Sequence, residues 1–220
     1  MRPLIALNLK VYPESLGRKG LELVRIAHDV GKETGVRIIV APQAVDLAAS
    51  SKIHKDIFAQ HVDWNAEGAF TGTTTPEAIK AAGCLGSLVN HSERRIGDEA
   101  IGKAVARLRG NGLESMICTK DTPESARLAV FEPTFIAVEP PELIGSGISV
   151  STAKPEVVSG TVQAVAKVNG TPVLCGAGVS NGGDVRKAIE LGAAGVLLAS
   201  AYVKAKDPKN LLAEMAEALL

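Results

Sequence analysis

One pattern recurs eight times along this chain: a short apolar run, a polar or small-residue turn, and, in most units, a stretch with helical periodicity. The apolar runs fall at Leu4–Asn8, 36–41, 57–61, 85–90, 114–118, 134–139, 172–175 and 195–199. They are rich in Val and Ile and too short for helices, so they read as strands. Amphipathic stretches lie between them at 17–34, 98–111, 155–168 and 181–191, with a terminal one at 208–220. Segments 43–51 and 75–82 read as shorter helices. Strand then helix in alternation forces parallel pairing, because parallel neighbours need a crossover.

Two architectures accept that order, an open doubly wound sheet and a closed barrel. Eight units favour closure, since eight parallel strands can join edge to edge. The 220 residues fall short of the roughly 250 usual for such a barrel. The expectation is therefore an α/β protein, a single (β/α)8 barrel over residues 1–220 with some shortened helices. No linker or low-complexity tract divides it. Aromatics at 3 % suit the reading, because small branched side chains fill barrel layers.

Lys+Arg and Asp+Glu stand at 24 each. Nucleic acid and membrane surfaces call for a clustered basic excess, so neither is an expected partner. Cys84, Cys118 and Cys175 form no CxxC pair, and their odd number points to free thiols in a reducing cytoplasm. The N-terminal apolar run is broken by Asn8 and Lys10 and lacks a signal-peptide core. The longest apolar run, 192–203, is too short to span a bilayer.

In βα barrels the chemistry gathers at the C-terminal strand ends. The first strand ends in Asn8-Leu9-Lys10, where alternation puts Asn8 and Lys10 on one face. The third ends in Gln60-His61, and His61 reads as packing or interface. The fourth ends in Asn90-His91, followed by Ser92-Glu93-Arg94-Arg95. That segment reads as the start of a helical turn, which would disfavour a cation and keep His91 neutral. Glu139 closes the sixth apolar run beside Pro140. Shielding from water there raises a carboxyl pKa and makes a better base. Glu132 shares the Glu-Pro context but precedes its strand, and so belongs at the opposite, structural end.

Residues 140–147 read Pro-Pro-Glu-Leu-Ile-Gly-Ser-Gly, stiff at one end and free at Gly145 and Gly147, as a lid would be. Small residues at 145–147, 176–178 and 199–200 expose backbone N–H groups. The last two follow strands seven and eight, the usual phosphate site of such barrels.

Taken in order, these pieces resemble the triosephosphate isomerase family across essentially the whole chain. The motifs are Asn8-x-Lys10, GAFTG at 68–72, NHSERR at 90–95, and VEP at 138–140 with IGSG at 144–147. The short length resembles the family's archaeal branch. The resemblance implies a TIM barrel and a cofactor-free aldose–ketose isomerase of glycolysis and gluconeogenesis, with no metal. It implies Lys10 as cationic binder, His91 as electrophile and Glu139 as proton-abstracting base. Asn8 and Leu9 join Lys10 in binding substrate, and Glu93 is a supporting acid. Ile144, Gly145, Gly178, Ala199 and Ser200 hold the phosphate. Thr71 reaches the neighbouring subunit's site in a homodimer, or in a homotetramer built from dimers. Three positions depart from the family pattern: Glu142 replaces a lid tryptophan, Gly178 a serine, and Ala199-Ser200 a Gly-Gly turn.

Two rivals remain on sequence. A metal-dependent sugar-phosphate epimerase needs His and Asp ligands clustered at strand ends, where this chain offers only His61 and His91. A non-catalytic barrel would have no need of Lys10, His91 and Glu139 together.

Overall fold

The computed structural model describes residues 2–143 and 149–220. The expected Ile144 and Gly145 phosphate contacts, with residues 144–147 of the 140–147 lid and both its glycines, lie outside the described residues. Eight strands are present: β1 Leu4–Asn8, β2 Arg37–Ala41, β3 Phe58–Ala59, β4 Gly86–Val89, β5 Glu114–Thr119, β6 Phe135–Val138, β7 Val173–Cys175 and β8 Gly195–Leu198. All pair parallel in the order β2-β1-β8-β7-β6-β5-β4-β3. A single parallel bridge, Val40 to Ile57, joins the ends and closes the barrel.

The helices are α1 Arg18–Thr34, α2 Leu47–Ser50, α3 Pro76–Ala81, α4 Asp98–Gly110, α5 Thr122–Ala129, α6 Val150–Ala153, α7 Pro155–Ala166, α8 Gly182–Glu190, α9 Ser200–Val203 and α10 Pro208–Glu217. The crossovers after β2 and β3 are trimmed to the short α2 and α3, as the chain length requires.

Strand alternation sorts the core. Leu4, Ala6, Ile39, Ala41, Phe58, Leu88, Met116, Phe135, Leu174 and Leu197 form a cluster made only of strand residues, which is the barrel interior. Their neighbours Ile5, Leu7, Ile38 and Val40 face outward onto helix residues such as Val24, Ala27, Leu108 and Leu212. Phe58 and Phe135 are fully buried and supply bulk inside the barrel.

Two expectations need correction, and one helix had not been expected. Strand β3 covers two residues rather than 57–61, because beyond Ala59 the Gln60 side chain, not its main chain, reaches across to the Ala41 carbonyl (3.1 Å). Segment 92–95 is an isolated turn: the Arg94 N–H donates to the His91 carbonyl at 2.8 Å, and α4 begins only at Asp98. Asp98 and Glu99 favour a helix N-terminus there, whereas Arg94 and Arg95 oppose one. Helix α5 went unforeseen, although Asp121 caps it by accepting the Glu124 N–H at 2.8 Å.

At the lower end of the barrel, Arg37 bridges Asp56 (2.7 Å) and Glu114 (2.9 Å) and stands 5.8 Å from the centre of the Phe135 ring. Glu132 also lies at this end, paired with Arg109 at 3.1 Å.

Candidate active site

The upper end is built by turns that break the strand geometry. Lys10 follows β1 with φ of 48°, a left-handed conformation costly for a side chain with a Cβ. Its N–H donates to Asn8 Oδ1 (3.0 Å), and its carbonyl accepts from Gln60 Nε2 (2.9 Å). These contacts hold Lys10 inward, where Nζ meets Glu93 Oε1 at 2.7 Å. Asn90 does the same for β4: φ is 62°, Nδ2 donates to the Cys118 carbonyl (3.1 Å) and Oδ1 accepts from Ile96 N–H (3.0 Å).

That turn delivers His91 into the cleft. Its Nδ1 accepts the Glu93 backbone N–H at 3.2 Å, so the neutral ring carries its proton on Nε2. Burial, then the nearby Lys10 charge, lower the imidazole pKa to about 4. The ring is therefore neutral at physiological pH, but through burial and a cation rather than a helix terminus. His91 Nε2 points at Glu139 Oε1 across 3.8 Å, too far for a direct hydrogen bond.

Glu139 stands just past β6, anchored by its N–H to the Thr119 carbonyl at 2.7 Å. Its residue is 4 % exposed, and burial lifts the carboxyl to about 7 despite the Cys118 thiol and Lys10, which favour its charged form. Oε2 is buried with no hydrogen-bond partner among the described residues. Gly176 explains how the carboxylate fits: a Cβ there would collide with Glu139 Cγ.

Asn8, Lys10, His91, Glu139, Gly178, Ala199 and Ser200 line one cleft of about 370 Å³. Gly178 has φ of 70°, a turn a serine would adopt only with strain. Leu9 is separate: its side chain is fully buried in the core, and its N–H donates to the Ala41 carbonyl at 3.0 Å. Thr71 lies on an exposed turn outside the cleft, beside the half-exposed Phe70. His61 pairs with Asp63 at 3.1 Å, and burial holds its pKa below the ordinary value. Among the described residues no group of three or more His, Cys, Asp or Glu is placed to hold a metal. Tyr12, Ser180 and Lys204 also line the cleft, and strand-end reasoning did not find them.

Residues 3–218 match the model of the triosephosphate isomerase family. The chain belongs to the triosephosphate isomerase family. It is 51 % identical over 216 residues to the triosephosphate isomerase of Methanothermus fervidus, covering 97 % of each chain. Against that of Methanocaldococcus jannaschii, identity is 48 % over 214 residues, covering 96 % of this chain and 98 % of the other. The crystal structure of the Bartonella henselae triosephosphate isomerase superposes with a TM-score of 0.77 over 96 % of this chain and 98 % of that one. Its 20 % identity makes that a likeness of fold.

Proposed function

We propose that this protein interconverts dihydroxyacetone phosphate and D-glyceraldehyde 3-phosphate through an enediolate, without a cofactor, in glycolysis and gluconeogenesis. The observation that carries this reading is the buried Glu139 carboxylate, raised to about 7 and facing neutral His91 in the same cleft as Lys10. A proton alpha to a carbonyl is too weakly acidic for a solvated carboxylate. Glu139 takes it while Lys10 and the His91 Nε2–H stabilise the charge growing on oxygen. His91 moves a proton between the two oxygens, and Glu139 returns its own to the adjacent carbon. A carboxylate base beside a neutral histidine is the pattern already known for this family. Backbone N–H groups of Gly178, Ala199 and Ser200, with Ile144 and Gly145, hold the phosphate. Asn8, and Leu9 through its main chain, support Lys10 on the other side.

We read residues 1–220 as one barrel domain, acting in the cytoplasm. Three buried free cysteines fit a reducing compartment. The working unit is a homodimer, or a homotetramer built from dimers. Val11, Leu16, Val45 and Phe70 are large apolar side chains left exposed on loops beyond β1, β2 and β3. Phe70 is half-exposed, so covering it removes apolar area worth about 1 kcal/mol. An isologous contact lets each subunit lend Thr71 to the other's site, beside Glu93.

A coupled isomerase assay with and without chelator tests the reaction. Equal turnover in both is expected; no turnover of triose phosphates, or turnover lost to the chelator, overturns the reading. Phe70→Asp should weaken association and activity together in sedimentation and assay. A fully active monomer would show that this turn does not complete the site.

A further inference from the structure

We propose that Lys204 supplies a second cation for the substrate's phosphate dianion, at the end of the cleft lined by Gly178, Ala199 and Ser200. The proposal rests on the triose phosphate reading above and adds a residue that sets affinity for it. The charges around the cleft motivate it. Two lysines line it, Lys10 and Lys204, and one carboxylate, Glu139. Lys10 already meets Glu93 at 2.7 Å, so its field is largely offset before any ligand arrives. No carboxylate among the described residues stands within ion-pair distance of Lys204; its Nζ lies 4.3 Å from the centre of the Tyr12 ring instead. A ring face attracts an ammonium without consuming its N–H donors. Lys204 is thus a cation held at the rim with its hydrogen-bonding capacity unspent.

Its placement is fixed from both sides. The Lys204 N–H donates to the Ser200 carbonyl at 3.0 Å, one helical turn from the phosphate-facing end of α9. The Tyr12 carbonyl accepts from Ser15 Oγ (2.9 Å) and Gln43 Nε2 (3.2 Å), which holds the loop carrying the ring. Ordering a long side chain in advance reduces the entropy lost on binding an anion. Beyond the backbone N–H groups and the Ser200 hydroxyl, that end of the cleft offers few side-chain donors. Gly178 brings no hydroxyl, and both the N–H and hydroxyl of Ser180 are given to Asp184 at 2.9 and 3.0 Å. A dianion leaving water needs compensating positive charge, and Lys204 is the group positioned to give it.

The test compares Lys204→Met, which keeps the stem and loses the charge, with Lys206→Met, an exposed lysine outside the cleft lining. For Lys204→Met, KM for dihydroxyacetone phosphate and the inhibition constant of inorganic phosphate should both rise about five- to tenfold, with kcat changing less. The salt dependence of kcat/KM should flatten. Lys204→Arg should restore most of the affinity, and Tyr12→Leu should weaken it by about two- to threefold. Unchanged KM and phosphate inhibition in Lys204→Met, or an equal loss in Lys206→Met, would overturn the proposal. Phosphorus NMR titration with inorganic phosphate reads the Lys204 effect without turnover. If the wild type fails to isomerise triose phosphates, the reaction reading falls while the titration still decides the role of Lys204.

Discussion

The two ends of this barrel treat buried charge in opposite ways. At the lower end Arg37 sits between Asp56 and Glu114, each within 2.9 Å. At the upper end Glu139 is buried with one oxygen unpartnered, 3.8 Å from an imidazole that stays neutral. The lower cluster spends its charges on one another and ties β2, β5 and the approach to β3 together. The upper pair leaves Glu139 Oε2 unsatisfied, which costs stability and keeps the carboxylate available to a reacting molecule. The same strands carry both ends, so the difference lies in the residues just before and just after each strand.

The sharpest way to break this contrast is Glu139→Gln. The amide cannot accept a carbon-bound proton, so kcat should fall at least about a hundredfold with the fold retained. Retention of more than about a tenth of wild-type turnover would remove Glu139 from the role of base.

Next in size is Arg37→Met. Asp56 is 7 % exposed at its side chain and loses its cation, so stability should drop by about 2 kcal/mol in urea unfolding, while kcat stays near wild type. A comparable loss of kcat would mean the two ends are coupled.

The third test uses pH. Glu139 has its pKa raised from 4.5 to about 7, so the folded protein holds a proton there that the unfolded chain has released. The resulting penalty is absent below pH 4.5 and complete above about 7. The stability of Glu139→Gln relative to wild type should therefore climb as pH rises through that window. His91, lowered from 6.5 to about 4, works the other way: its contribution is full above 6.5 and lost as pH falls toward 4. A flat difference between the variant and wild type from pH 4.5 to 7 would deny Glu139 its raised pKa.

The smallest expected effect is Cys118→Ala. Its thiol favours the charged carboxylate, so removing it should move the acidic limb of kcat/KM slightly upward. A downward shift would show that the thiol does not donate to Glu139.

How much of this was legible beforehand depended on where a residue's signal lay. The eight strands were readable because each is a short apolar run bounded by turns, and β1 agrees to the residue at Leu4–Asn8. Lys10, His91 and Glu139 stand directly at strand ends, where position alone nominates them. Lys204 was missed because it follows β8 by a turn of helix and sits among the charges of Lys206, Asp207 and Lys209, where it looks like ordinary solvated surface. The left-handed turns at Lys10 and Asn90 left no mark, since neither position carries a glycine. His91 was expected to be neutral for the wrong cause: the sequence displays neighbours along the chain, whereas burial and Lys10 come from across the barrel. Helix α5 did carry a signal, the Asp121 cap with Pro123 behind it, in a segment too weakly periodic to stand out.

The closure between β2 and β3 has a consequence of its own. Main-chain pairing at that seam amounts to the Val40–Ile57 bridge, and side chains lace the rest: Arg37 to Asp56 below, Gln60 to the carbonyls of Ala41 and Lys10 above. The molecule is thus a curled sheet fastened at one line, more like a sleeve with a placket than a seamless tube. The upper fastening grips the carbonyl of Lys10 itself, so any slackening of the seam would be felt first at a cation that lines the cleft.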